Sequence, residues 1–138
     1  GILQTVLTES LLEKHDAVLM LDADSVIRKP IEIEPEYELA LIVQKLEAYD
    51  RKVNGGCVYI TSALKPLALK LSELMDGSHW FNDQIALNRL CVKRGGYKLK
   101  ILDDSFISWK GNPDASIWTG KGKNKFRQLF VDEVNKWK

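Results

Sequence analysis

"VLMLDADSVI", residues 18–27, carries four apolar residues, Val18 to Leu21, straight into Asp22-Ala23-Asp24. An apolar run of that length with turn formers behind it reads as a buried strand. Two acids one residue apart at its end admit three readings: they hold a metal, one of them attacks phosphorus, or they cap a turn. In extended backbone, residues two apart point the same way, so both carboxylates can face one cation. A pair of hard oxygen donors suits Mg²⁺ or Mn²⁺ shared with phosphate oxygens.

Moving outward from that strand, helical and strand signals alternate. Ile2, Leu3, Val6, Leu7 and Leu11 recur at helical spacing, which predicts an amphipathic helix over residues 2–14. "RKPIEIEPEYE" is broken by Pro30 and Pro35. "LALIV", Leu39 to Val43, is a strand covered on both faces. "NGGCVYIT" places Asn54-Gly55-Gly56 before a buried strand over Cys57 to Thr61. "ALKPLALKLSELMDG" is a helix with Pro66 early and Gly77 as its stop. Asn82 to Arg94 is another, "YKLKILD" is a half-buried strand, and Phe126 to Trp137 is an amphipathic helix on Phe126, Leu129, Phe130, Val134 and Trp137. The expected architecture is α/β, a layered mixed or mainly parallel sheet flanked by helices, in a single domain over residues 1–138.

Composition narrows the function classes. The 138 residues are 45% hydrophobic and 28% charged, enough for one real core, and the net charge of +1 gives no global field for nucleic acid. Cys57 and Cys91 lie in apolar surroundings without metal-type spacing, which reads as buried thiols in a reducing, cytoplasmic setting. No apolar run is long enough to span a bilayer, so no transmembrane segment is expected.

Three further stretches carry chemistry. Asn54-Gly55-Gly56 lets backbone approach a ligand closely, although a tight turn explains the glycines as well. In "HWFNDQIALNRL", Asp83 and Gln84 open a helix with Asn82 as candidate N-cap, where a carboxylate is favoured by the dipole. In "SIWTGKGKNKF", Gly120, Lys121, Gly122 and Lys123 form a cationic glycine-rich loop, either a phosphate cradle or a solvated turn.

Taken in order, a strand ending D-x-D, N-G-G before a strand, N-D-Q opening a helix and a late G-K loop resembles the GT-A fold glycosyltransferases. The pattern is most similar to the family-8 type of glycogenin and the lipopolysaccharide galactosyltransferases. The resemblance covers residues from about 15 to 125. It implies transfer of a hexose from a nucleotide-diphospho-sugar, UDP-sugars favoured, to a glycan or other hydroxyl acceptor, with retention favoured over inversion. It further implies Mn²⁺ or Mg²⁺ on Asp22 and Asp24, with Asp22 also near the ribose. Asn54, Gly55 and Gly56 would line the donor-sugar site. Asp83 would accept hydrogen bonds from sugar hydroxyls, and Gln84 would sit by the anomeric centre. Gly120, Lys121 and Lys123 would fold over the diphosphate.

Two departures follow. The family's histidine ligand falls at Ser116, Ile117 or Trp118, none of which is His, and indole only donates. His79 is a conceivable substitute. Only about 20 residues precede the D-x-D, so the chain is expected to lack part of the N-terminal nucleotide-binding half. It would be a fragment or a compact variant. "DADSV" also fits the first motif of haloacid-dehalogenase-like phosphatases, with Asp22 as nucleophile and Asp24 as acid/base. Asp103-Asp104 would then be that family's later acidic motif. A third reading is a non-catalytic, transferase-like binding domain.

Overall fold

Leu39–Val43 is central to the larger of two sheets, and its unbroken apolar character has a direct cause: both of its edges and both of its faces are covered. The computed structural model describes residues 8–44, 53–75, 82–120 and 122–138. The strands are β1 (Ala17–Leu21), β2 (Ser25–Ile27), β3 (Leu39–Val43), β4 (Val53–Thr61), β5 (Leu99–Ile101), β6 (Ile107–Ser108) and β7 (Ile117–Thr119). The helices are α1 (Lys65–Leu74), α2 (Asn82–Leu87) and α3 (Gln128–Asn135); residues 8–12 are also helical. Gly1 to Leu7, which include the first six residues of the helix predicted over 2–14, and Gly77 lie outside the described residues. By their internal contacts, Gly1–Met20 with Pro35–Ile101 form one compact unit, and Leu21–Glu34 with Leu102–Lys138 form a second.

The first unit holds the sheet β1-β4-β3-β5. β3 runs antiparallel to β4, with Leu39 opposite Ile60 and Leu41 opposite Val58, and parallel to β5, with Leu39 opposite Leu99. The sheet is therefore mixed. β1 stands at an edge, and each of its five residues is only half-buried, where the sequence predicts a core strand. α1 starts with Pro66 in its first turn and buries Leu67, Ala68 and Leu71, the i, i+1, i+4 stripe of an amphipathic helix. These residues join Leu39, Leu41, Val53, Val58, Ile60, Ala86, Leu87 and Cys91 in one core. The helix predicted over 82–94 is α only through Leu87. From Asn88 to Lys93 it widens into a π-helix, and the Arg94 N–H donates to the Arg89 carbonyl five residues back.

β4 begins earlier than expected. Asn54-Gly55-Gly56 lies inside the strand, not before it, because the ladder slips. Leu41 pairs with Val58 and Ile42 already pairs with Asn54, so Gly55, Gly56 and Cys57 bulge out. The buried Asn54 closes the bulge, its Oδ1 accepting the Gly56 N–H at 2.8 Å.

The second unit holds the small sheet β2-β7-β6, whose strands are too short to leave a periodic signal in the sequence. β2 pairs antiparallel with β7, Val26 opposite Trp118, and β6 runs parallel to β7. Its organising side chain is Arg28. The guanidinium lies 3.8 Å from the centre of the Trp118 ring. It donates to the carbonyls of Asn112 (3.4 Å), Pro113 (3.1 Å) and Ala115 (3.2 Å). Its Nε is 3.2 Å from the buried Glu133 of α3. The Trp118 Nε1–H donates to the Asn112 carbonyl at 2.7 Å. α3 is shorter than the predicted 126–137 helix, and Phe126, Leu129 and Trp137, expected on its buried face, are exposed.

Candidate functional site

In the first unit, the β4 bulge meets the start of α2. A Cβ built on Gly55 would lie 2.6 Å from Asp83 Oδ2, closer than real Cβ atoms come, and 3.9 Å from Gln84 Cγ, an ordinary contact. Any side chain there would have to displace the Asp83 carboxylate; a left-handed φ does not call for glycine, since neither Gly55 nor Gly56 adopts one. Asp83 is the second residue of α2, where the helix dipole favours its negative charge. Its Oδ1 accepts the Gln84 N–H at 2.8 Å. Asp83 and Gln84 are half-buried, whereas Asn54 is 1% exposed and turned into its own bulge. Three of the predicted donor-sugar residues, Gly55, Asp83 and Gln84, thus come together. Asn54 supports them from behind. The side chain of Asn82, the predicted N-cap, lies outside the described residues, as do His79, Trp80 and Phe81.

In the second unit, the aspartate pair does not continue the strand. β1 stops at Leu21, and residues 22–25 turn, the Ser25 N–H donating to the Asp22 carbonyl at 3.1 Å. Strand alternation, the argument for two parallel carboxylates, does not apply across a turn. The Asp24 carbonyl accepts the Gly120 N–H at 2.8 Å, so the D-x-D turn and the G-K stretch are joined through backbone. Gly120 is itself fixed by packing: a Cβ there would lie 2.7 Å from Lys125 Cβ and 2.9 Å from the Phe130 ring. The expected flexible loop is instead a 3₁₀ turn over Gly122–Phe126, entered through Gly122 at φ +63° and closed by the Lys125 N–H on the Gly120 carbonyl. Lys123 is exposed, and Lys121 lies outside the described residues.

Asp22 and Asp24 offer hard oxygens fitted to Mg²⁺ or Mn²⁺ when phosphate oxygens complete the shell. Among the described residues no group of three or more His, Cys, Asp or Glu converges. Trp118, one of the three positions on which the resemblance's histidine falls, has its N–H committed to Asn112 and its face to Arg28. Asp103 closes a turn after β5, its Oδ1 accepting the Ser105 N–H at 3.0 Å, in keeping with a capping role. Sequence reasoning missed Arg28. Its one signal is the cation pair Arg28-Lys29 a few residues after the aspartates, which spacing rules do not capture.

Solved glycosyltransferases share this fold. A glycosyltransferase involved in the glycosylation of the major capsid of PBCV-1 superposes with a TM-score of 0.71 at 13% identity, over 96% of this chain and 74% of its own. GlyE of Streptococcus pneumoniae TIGR4 gives 0.60 at 16% identity, over 99% of this chain and 45% of its own. The WbbM bifunctional glycosyltransferase gives 0.57 at 13% identity, over 92% and 35%. The chain thus spans most of the first and less than half of the other two. No protein-family model matches the chain, and no curated protein matches its sequence. The architecture, mixed sheets flanked by helices, is the fold these solved glycosyltransferases share.

Proposed function

We propose that this chain carries glycosyl-transfer machinery of the family-8 type, moving a hexose from a nucleotide-diphospho-sugar, UDP-linked by preference, to a hydroxyl acceptor with retention. The observation that carries the proposal is the contact of the Gly55 backbone with the Asp83 carboxylate, on a fold shared with glycosyltransferases. Asp83, in the first turn of α2, accepts hydrogen bonds from donor-sugar hydroxyls. Gln84 lies beside the reacting carbon. Asn54 and Gly56 hold the bulge that presents Gly55.

Breaking the sugar–phosphate bond develops negative charge on a nucleoside diphosphate. Lys121, Lys123 and the Gly120 backbone meet that charge, while Asp22 and Asp24 hold the divalent cation, Mn²⁺ or Mg²⁺, with Asp22 also facing the ribose. That cation, when bound, neutralises the leaving group as a Lewis acid. Positioning of the acceptor hydroxyl supplies much of the remaining rate. Two buried free thiols fit a reducing, cytoplasmic location. The phosphatase reading has the aspartate pair but no role for the Gly55–Asp83 contact. A non-catalytic binding domain would keep the contact and lose turnover.

Thermal denaturation with UDP, GDP and their sugars, with and without Mn²⁺, tests the proposal. A ligand of the native state must raise the melting temperature, by an amount set by ligand excess over Kd. UDP with Mn²⁺ is expected to do so, and Asp24→Ala to remove the Mn²⁺-dependent part. No shift with any nucleotide contradicts the proposal. Turnover of an aryl phosphate abolished by Asp22→Asn would support the phosphatase instead.

A further inference from the structure

In the second unit, β2 and β7 pair over three residues each: Ser25 opposite Thr119, Val26 opposite Trp118, Ile27 opposite Ile117. Just beyond one end of this ladder, the Gly120 N–H donates to the Asp24 carbonyl at 2.8 Å. Beyond the other, the Arg28 N–H donates to the Ser116 carbonyl at 2.8 Å. The register of the ladder therefore decides which residue of the glycine–lysine stretch stands beside the aspartate turn. The Lys125 N–H closes on the Gly120 carbonyl, so the turn that carries Lys123 follows Gly120. A slip of one residue would take Gly120 off Asp24 and turn Trp118 to the opposite face. A ladder this short does not fix its own register.

The Arg28 side chain supplies what the ladder lacks. Its Nη1 donates to the carbonyls of Asn112, Pro113 and Ala115, which form the turn leading into β7. Its guanidinium lies 3.8 Å from the ring centre of Trp118, the middle residue of β7, and its Nε 3.2 Å from Glu133 of α3. The neighbouring Lys29 Nζ donates to the Asp114 carbonyl of the same turn at 3.0 Å. The Arg28 side chain is only 15% exposed, and its Nη1 and Nε are committed inside the unit rather than offered to an anion.

We propose, on the transferase reading of the site, that Arg28 is the positioning residue of its diphosphate end. By clamping the turn over residues 112–115 it sets the β2–β7 register, which puts Gly120 and the turn carrying Lys123 beside Asp24. Asp24 and Lys123 serve the diphosphate, and Arg28 fixes where they stand without touching it. Lysine is no substitute. A point charge can stay beside Glu133, but it cannot hold three carbonyls and a ring face at once.

Titration of the whole chain with UDP and with uridine in the presence of Mn²⁺, alongside amide hydrogen exchange, tests this on wild type and Arg28→Lys. The affinity for UDP is expected to fall at least about tenfold, the usual size for loss of a supporting contact. Uridine, which has no phosphate, should bind the variant as it binds wild type. The Gly120 amide should lose protection by at least about tenfold, while the Leu41 and Val58 amides of the larger sheet keep theirs. Trp118→Phe keeps a ring for Arg28 and drops the indole bond to Asn112. It should move the UDP affinity and the Gly120 protection in the same direction, and it carries the test if Arg28→Lys does not fold. UDP affinity unmoved in both variants overturns the inference and leaves the transferase reading standing. So does a loss shared by uridine and the Leu41 amide, which marks general destabilisation, or a loss of UDP affinity with the Gly120 amide still protected. A wild-type chain that binds no UDP overturns the transferase reading and this inference with it.

Discussion

A side chain at Gly55 would run into the Asp83 carboxylate, and single substitutions expose that proximity. Gly55→Ala puts a methyl group where Asp83 Oδ2 now lies, so the carboxylate must move. The expected cost is about 1–2 kcal/mol of stability, the usual penalty for overpacking. Gly55→Ala combined with Asp83→Ala should regain most of it, a non-additivity that a double-mutant cycle in urea reads directly. Equal costs for the single and the double variant would show that the contact is not close. The cysteines make a second residue-scale prediction. Cys57 and Cys91 are buried, and desolvation pushes the Cys91 thiol up to about 12. Neither should react with a thiol reagent in the native protein, and both should react in denaturant.

At the scale of elements, α3 is held to the small sheet through Glu133. The Lys136 hydrogen bond, and then Arg28, hold its carboxyl below the usual glutamate range. A folded-state pKa below the unfolded one stabilises above the unfolded value, near about 4.3, and is lost as pH falls through the folded value. The second unit should therefore weaken below about pH 4, and Glu133→Gln should be less stable at pH 7 with a flatter acid limb. Arg28→Ala removes the guanidinium from Glu133, from Trp118 and from three carbonyls, with an expected cost of about 3 kcal/mol. A loss within measurement error would show that Lys136 alone satisfies Glu133. What the sequence displays at this scale depends on length. β3 and α1 are plain in "LALIV" and in the Leu67, Ala68, Leu71 stripe, because their side chains face a core on a regular period. β2, β6 and β7 are two or three residues long and leave no period to read. The bulge in β4 is hidden for another reason: it is set by pairing with β3, which local sequence does not encode.

At the scale of the whole molecule, the order of motifs along the chain anticipates a fold that solved glycosyltransferases share at 13–17% identity. Such likeness lives in the arrangement of strands and turns rather than in residue identity, which is why few positions match. Of the candidate site, Gly55, Asp83, Gln84, Asp24 and Gly120 are legible as motif residues, and the structure gives each a defined contact. The geometry of Asp22 and Asp24 is not legible, because a turn rather than a strand carries them. We propose that Asp83 and Gln84 serve the donor sugar and that Asp22 and Asp24 serve its diphosphate. The most direct test measures UDP release from a panel of UDP-hexoses with Mn²⁺, alongside UDP affinity by calorimetry. Asp83→Ala should leave UDP affinity unchanged and lower turnover by about a hundredfold or more, the signature of an interaction with the reacting group rather than with the nucleotide. Asp83→Ala with full turnover, or with UDP binding lost, would contradict the account.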